Sequence, residues 1–138
     1  MNHRLAMTLG GAGLLPFVGL SVLAMVADGD LATNALRALH AWGAVIASFL
    51  GGITWGTAVQ AGNDRLYLLS LAPFTTAWVA LLLPPDPGLW LLVAALLLAL
   101  FNDAAAHRLE LIPGWFYQMR RALSVVVIAV LSLVAVYI

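Results

Sequence analysis

Five long apolar runs occupy most of the chain and leave only short segments between them. They cover residues 8–27, 39–59, 66–83, 89–106 and 122–138. An α-helix rises about 1.5 Å per residue, so roughly 17–25 apolar residues are needed to cross about 30 Å of hydrocarbon. Each run reaches that length, and a helix satisfies its own backbone hydrogen bonds where lipid offers no partners. The sequence therefore predicts an all-α, polytopic membrane bundle with five transmembrane helices.

Charged residues are too few to cover a water-exposed surface. They make up 9% of the chain, whereas a soluble domain carries about 25%. The segments between the runs are too short for a second folded unit, so residues 1–138 form one predicted transmembrane domain in contact with membrane lipids. A formal net charge of zero does not indicate a nucleic-acid partner. The chain has no Cys, which excludes disulfides and thiolate metal sites, and no cofactor motif is recognisable.

The arginines are distributed unevenly between the two sides of the predicted bundle. With a cytoplasmic N-terminus, the inner segments contain five arginines and the outer segments contain Arg37 alone. Because basic residues are enriched in cytoplasmic loops, this pattern predicts a cytoplasmic N-terminus and an external C-terminus. No Arg-rich, Ser-rich transit segment precedes the first run, which favours a bacterial inner membrane over the mitochondrial inner membrane. The inner arginines are Arg4, Arg65, Arg108, Arg120 and Arg121.

Several residues mark the predicted ends and irregularities of the helices. Asp30 is a candidate N-cap for a second helix that begins at Leu31, outside the membrane. The Pro-rich segment 84–88 predicts a tight hairpin between the third and fourth helices. Pro16 and Pro73 lie inside predicted helices, where each can kink its helix and free a carbonyl for a partner. The first run exceeds the roughly 7–15 residues of a signal-peptide core, so we expect a retained helix.

Small residues recur at every fourth position of the second run. Lipid gives helices no hydrophobic reason to associate, so a smooth stripe that lets two backbones approach closely favours packing. This run is therefore predicted to pack at the centre of the bundle, and a ligand groove on the same surface is the alternative. The residues assigned to this surface are Ala44, Ser48, Gly51, Gly52, Thr54, Trp55 and Gly56.

Polar residues gather at the end of the fourth run. Asp103 and His107 are four residues apart and share a helix face. A carboxylate below the membrane interface needs a partner, and Arg65, Arg108 and Arg120 lie on the same side. We interpret the possible polar cluster of Arg65, Asp103, His107 and Arg108 as a charge-paired helix end. A membrane enzyme that uses Asp103 and His107 as acid and base is the alternative, but no catalytic set or metal-ligand spacing is recognisable.

An aromatic and basic segment precedes the last run. Trp115 and Tyr117 are followed by Arg120 and Arg121. Aromatic rings are typical of the membrane–water interface, and arginines beside them contact anionic headgroups. The four residues are predicted to form an interfacial anchor.

Three segments of the chain resemble the transmembrane protein 69-like family, whose domain has no known function. They are 42–56 with Gly51-Gly52-Ile53 at its centre, 65–78 with Leu69-Ser70-Leu71-Ala72-Pro73, and 113–121. The resemblance implies a small multi-helix protein of bacterial or mitochondrial inner membranes and supplies no activity. The family pattern often has His where this chain has Thr54, so any proton-transfer or ligand role of that His is absent from this chain.

These patterns favour a non-catalytic integral membrane protein. We predict an accessory or assembly subunit that packs against a larger membrane complex, for example a respiratory or photosynthetic one. The alternative is a small transporter or channel, or a binder of a lipophilic ligand such as a quinone, a pigment or a lipid. In that case Pro16, Pro73 and the glycines of the second helix would line a cavity.

Overall fold

The computed structural model describes residues 3–138, and these residues form helices joined by short connections. The first two helices follow each other with a single residue between them and together make one membrane-length segment. The helices are α1 (His3–Ala12), α2 (Leu14–Val26), α3 (Gly29–Ala61), α4 (Asp64–Leu82), α5 (Pro85–Arg108) and α6 (Gly114–Tyr137).

Within residues 3–138, five segments are long and apolar enough to cross a membrane: α1 with α2, then α3, α4, α5 and α6. The prediction of an all-helical protein with five potential spans is confirmed. Consecutive spans are joined by short turns and contact one another, α2 also contacts α6, and α3 contacts α5 across the bundle. Many Leu and Val side chains point outward, such as Leu15, Leu68 and Val136, as expected where the surrounding solvent is lipid.

The helices extend further than the apolar runs. The second helix was predicted to begin at Leu31 after Asp30, but α3 begins two residues earlier, at Gly29, with Asp28 in the N-cap position. At about 1.5 Å per residue, the 33 residues of α3 measure about 50 Å, which exceeds the hydrocarbon thickness. The helix α6 likewise starts at Gly114, so the predicted anchor segment is helical. Apolar length alone does not detect the polar turns that continue a helix into the interface.

The proline-rich hairpin is tighter than predicted. The helix α4 ends at Leu82 and α5 starts at Pro85, so Pro85 and Pro87 lie in the first turn of a helix. Proline is tolerated there because the first turn has no acceptors for its N–H groups. Gly88 follows, and a Cβ at this position would overlap the imidazole of His40 on α3. Position 88 therefore requires glycine, because α3 and α5 approach each other closely there.

The centre of the bundle is formed by α3 and α5 together. Of the five spans, α5 is the most buried and the first span is the least. Small residues set the approach of α3 to its neighbours: a Cβ at Gly43 would lie 3.0 Å from Leu92 Cδ1 on α5. A Cβ at Gly51 would lie 2.9 Å from the Ser70 carbonyl oxygen on α4. Ala47, between these glycines, is fully buried.

Candidate functional site

Two consecutive polar residues of α5 lie inside the bundle. Asn102 is 1% exposed and Asp103 is 5% exposed. Successive helix residues point about 100° apart, because an α-helix has 3.6 residues per turn. Asn102 accordingly reaches α4, whereas Asp103 reaches α6. Polar groups inside a membrane protein need hydrogen-bond partners. The partners of Asn102 and Asp103 therefore show how α5 is held against its neighbours.

Asp103 forms a buried ion pair with Arg120 of α6. The Arg120 Nε donates to Asp103 Oδ2 at 3.1 Å, and both side chains are more than nine-tenths buried. The Arg120 Nη2 is also buried and has no hydrogen-bond partner among residues 3–138. The guanidinium thus donates to the carboxylate through Nε, and its Nη2 has no partner among these residues.

Asn102 bonds to a backbone carbonyl that a proline leaves without its usual donor. Pro73 lies inside α4 and has no N–H, so the carbonyl of Leu69, four residues earlier, lacks its helical partner. The Asn102 Nδ2 donates to that Leu69 oxygen at 2.7 Å. The expected effect of Pro73, a carbonyl freed for a partner, is present in α4, and the partner is a side chain of another helix.

The first span is interrupted at Gly13, three residues before Pro16. The helix α1 ends at Ala12, the residue whose carbonyl would otherwise accept from position 16, and α2 begins at Leu14. Trp42 of α3 donates its Nε1–H to the Gly13 carbonyl oxygen at 3.2 Å. This contact ties the interruption to α3.

An apolar cavity of about 320 Å³ lies beside this interruption, between α1, α2, α3 and α6. Phe17, Ile53 and Phe116 are among its lining residues. Among the residues that the structure describes, Arg120 is the one charged residue that lines it. The volume falls within the roughly 300–1,000 Å³ of small-molecule pockets.

The residues assigned to the polar cluster do not form one group. Asp103 is buried, whereas Arg65, His107 and Arg108 are exposed. Arg65 and Arg108 border the same surface depression, and His107 stacks on Tyr117 with ring centroids 4.5 Å apart. Of the three arginines considered as partners for Asp103, the structure selects Arg120. Among residues 3–138, no group of three or more His, Cys, Asp or Glu side chains is placed to hold a metal ion.

The small-residue surface predicted on α3 is divided between two faces. Ala44, Gly51 and Thr54 are buried, and Thr54 Oγ1 donates to its own helix at Leu50. The other four residues face outward, so the buried stripe is rotated by one position from the predicted one. Gly56 borders an open depression near Glu110. The outward residues are Ser48, Gly52, Trp55 and Gly56.

The predicted anchor needs one correction, which concerns Arg120. Its side chain points into the bundle and pairs with Asp103, so it does not face headgroups. Arg121 is exposed and its guanidinium carbon lies 5.5 Å from the Tyr117 ring centroid. Trp115 stacks on His3, with ring centroids 4.2 Å apart, and joins α6 to α1.

Two features of the site were not predicted. The cavity depends on how four helices pack, and no local pattern indicates it. The bond between Asn102 and Leu69 was partly indicated by Pro73, because a proline within a helix leaves the carbonyl four residues earlier without its helical donor. That signal names the acceptor but not the donor.

The fold and the site define a polytopic helical membrane protein whose spans are joined by buried polar contacts. A family model described as "Protein of unknown function (DUF3429)" matches residues 2–136. The chain belongs to this family, in agreement with the resemblance noted in its sequence.

A curated relative is transmembrane protein 69 of Xenopus tropicalis. The two are 39% identical over 136 residues, a region that covers 94% of this chain and 52% of the relative. The chain therefore spans about half the length of that protein. No solved structure matches the chain.

Proposed function

We propose that this chain is a non-catalytic integral membrane protein that packs against a transmembrane helix of a larger complex. The observation that supports this role is the outward stripe of Ser48, Gly52 and Gly56 on α3. All three residues are exposed, and no atom of residues 3–138 lies within 4 Å of a Cβ built at either glycine. Because lipid does not drive helices together, an exposed smooth stripe favours contact with another backbone.

The shape of this stripe suits a helix as its partner. The hydroxyl of Ser48 donates to its own helix at Ala44 with a distance of 2.9 Å, so it presents no unpaired donor. Phe49 and Trp55 are exposed on the same helix, 64% and 47% respectively. A partner helix seated over the glycines would gain van der Waals contacts with both rings.

The rival functions have less support from the site. A membrane enzyme based on Asp103 and His107 would require the two side chains to act together, yet one is buried against Arg120 and the other stacks on Tyr117. A transporter or ligand binder built around Gly52 and Thr54 would need them to face one space. They point to opposite sides of α3, one exposed and one buried.

A size substitution at the stripe tests the proposal. Gly52→Leu places a bulky side chain on the exposed stripe, and it should leave the fold intact because no atom in the described part of the chain lies near that Cβ. The matched control is Ala129→Leu on the exposed surface of α6. Tagged parent and variants are expressed at native level and purified in mild detergent, and their complexes are compared by mass and stoichiometry.

We expect a complex of defined stoichiometry with the parent and with Ala129→Leu, and its loss with Gly52→Leu. A monodisperse parent protein without any protein partner would contradict the proposal. If Gly52→Leu retains the partner as well as the parent does, the interface does not include this stripe. The observation that supports the proposal would then be lost.

The orientation and the membrane belong to the same proposal. The bundle end that holds Arg4, Arg65, Arg108 and Arg121 is proposed to face the cytoplasm of a bacterial inner membrane, with the C-terminus outside; the mitochondrial inner membrane is the alternative. The distribution of arginine supports this orientation. Since the chain has no Cys, single cysteines report sidedness directly.

Two exposed positions at opposite ends serve for this labelling experiment. In intact spheroplasts, a membrane-impermeant maleimide should label Asp86→Cys and should leave Gln60→Cys unlabelled until the membrane is opened. The reverse pattern would place the N-terminus outside.

A further inference from the structure

The apolar cavity between α1, α2, α3 and α6 has the composition of a binding site for a lipophilic molecule. Its walls carry aromatic and aliphatic side chains such as Phe17, Phe49 and Phe116. The charged side chain of Arg120 also lines it. Ligand pockets typically combine such apolar walls with a small number of polar groups that orient the ligand.

Arg120 is only partly satisfied by the protein. Its side chain is more than nine-tenths buried, and its Nε is bonded to Asp103 Oδ2. Its Nη2 is buried and finds no acceptor among residues 3–138. In the bundle interior, a guanidinium N–H without an acceptor is costly, because neither lipid nor apolar side chains can replace water. Because Arg120 also lines the cavity, an acceptor bound there can pair with the guanidinium.

The charge of the site decides which acceptor fits. Asp103 already balances the charge of Arg120, so an anionic headgroup would leave a net negative charge in an apolar cavity, at a high desolvation cost. A neutral oxygen acceptor satisfies the N–H without adding charge. We propose that the cavity binds a neutral lipophilic molecule whose carbonyl oxygen accepts a hydrogen bond from the Arg120 guanidinium.

The wall on the α1 side offers a route from the membrane. The helix α1 has no buried residues, and the connection that follows it is held by the bond from Trp42 to the Gly13 carbonyl. A ligand that enters from lipid beside α1 displaces few packed side chains. A quinone ring and the acyl ester of a glycerolipid share the required carbonyl chemistry, and the experiment separates them.

The test uses the full chain in lipid nanodiscs and a photoreactive azido-benzoquinone with a decyl chain. Labelled peptides are mapped by mass spectrometry, and labelling is competed with decyl-benzoquinone or with decylbenzene, which lacks a carbonyl. Native mass spectrometry of the purified protein reports any glycerolipid that remains bound. Ala6→Phe fills the cavity from α1, and Ala12→Phe, at an exposed position of the same helix outside the cavity, is its matched control.

We expect labelling on the cavity-lining parts of α1 and α6, with decyl-benzoquinone competing at least tenfold better than decylbenzene. Ala6→Phe should weaken binding at least tenfold, and Ala12→Phe should match the parent. Arg120→Lys keeps a cation beside Asp103 but lacks the second arm of the guanidinium. It should erase the advantage of the quinone over decylbenzene. If this variant does not fold, the Ala6→Phe comparison decides alone.

The two sources of the carbonyl give different results. A glycerolipid that is retained by the parent and Ala12→Phe but lost from Ala6→Phe, with no competition by the quinone, identifies a lipid ester as the ligand. The proposal is overturned if neither class binds, if Ala6→Phe binds as well as Ala12→Phe, or if quinone and decylbenzene compete equally. These results come from variants of α1 and Arg120, so failure of this proposal can be told apart from failure of the partner complex tested through Gly52.

Discussion

The bond between Asn102 and the Leu69 carbonyl should stabilise the bundle only because Pro73 is present. Asn102→Leu keeps the branching of the side chain and removes its donor, which leaves the buried Leu69 oxygen unpaired. An unsatisfied buried acceptor costs about 1–3 kcal/mol, and side-chain hydrogen bonds between membrane helices average about 0.6 kcal/mol and reach about 1.7 kcal/mol. Because this acceptor has lost its helical donor, we expect a cost near the upper value, about 1–2 kcal/mol.

The replacement Pro73→Ala restores an N–H four residues after Leu69. The Leu69 oxygen then has a partner within α4, so Asn102→Leu should cost no more than a few tenths of a kcal/mol in that background. The difference between the two backgrounds is a coupling energy of about 1 kcal/mol. Pro73→Ala alone should not weaken the helix, since proline is about 3 kcal/mol less favourable than alanine in a helix interior.

The four proteins of this cycle can be compared by equilibrium unfolding in mixtures of a mild detergent and dodecyl sulfate, followed by far-ultraviolet circular dichroism. The free energy of unfolding is obtained for the parent, both single variants and the double variant. Equal costs of Asn102→Leu in both backgrounds, within about 0.3 kcal/mol, would mean that the two sites are independent. That result would refute the dependence of the Asn102 bond on Pro73.

Two further predictions concern neighbouring or paired residues. Gly51→Ala should destabilise the protein by about 1–3 kcal/mol because its Cβ meets the Ser70 carbonyl at 2.9 Å, whereas Gly52→Ala should be neutral or slightly stabilising; equal effects in thermal unfolding would contradict the assigned face of α3. Asp103→Asn should cost about 3–5 kcal/mol by leaving Arg120 unpaired, while the double variant Asp103→Leu, Arg120→Met should lie close to the parent. Additive losses in the same unfolding assay would show that the ion pair is not a coupled unit.

The number and class of the helices follow from quantities that a sequence contains. The five spans are identified by comparing the length of each apolar run with the thickness of the membrane. This comparison does not require knowledge of contacts between distant parts of the chain. The ends are less predictable, because Gly29 and Gly114 begin helices in polar segments that hydropathy treats as loops. Helix continuation there depends on capping and on packing against neighbouring spans.

The packing face of α3 illustrates why the site was only partly predicted. The sequence contains two stripes of small residues one position apart, Gly43–Ala47–Gly51 and Ser48–Gly52. One position on a helix is a rotation of about 100°, so the two stripes point in different directions. Spacing alone cannot choose between them, and the structure buries the first because α4 and α5 both approach it.

Arg120 and Arg121 show that the environment of a charged residue is also hard to predict from the sequence. They are adjacent in the sequence and belong to one basic flank, yet one is buried beside Asp103 and the other lies over Tyr117. The rule that basic residues mark the cytoplasmic interface is correct on average, but it does not identify an arginine that a buried carboxylate holds inside. Predicting that Arg120 is buried requires knowing that Asp103 faces α6.

The consecutive residues Asn102 and Asp103 fix the positions of α4 and α6 relative to α5. Lipid does not distinguish one helix register from another, since an apolar side chain meets a similar environment against lipid or against a neighbour. Directional bonds do distinguish them: Asn102 fixes α5 against the carbonyl of α4 that Pro73 frees, and Asp103 fixes it against Arg120 of α6. A shift of either neighbour by one turn would leave a buried polar group without its partner. Asp103 also holds the Arg120 guanidinium beside the apolar cavity, so the contact that orders α5 against α6 also positions the donor that we propose for a ligand.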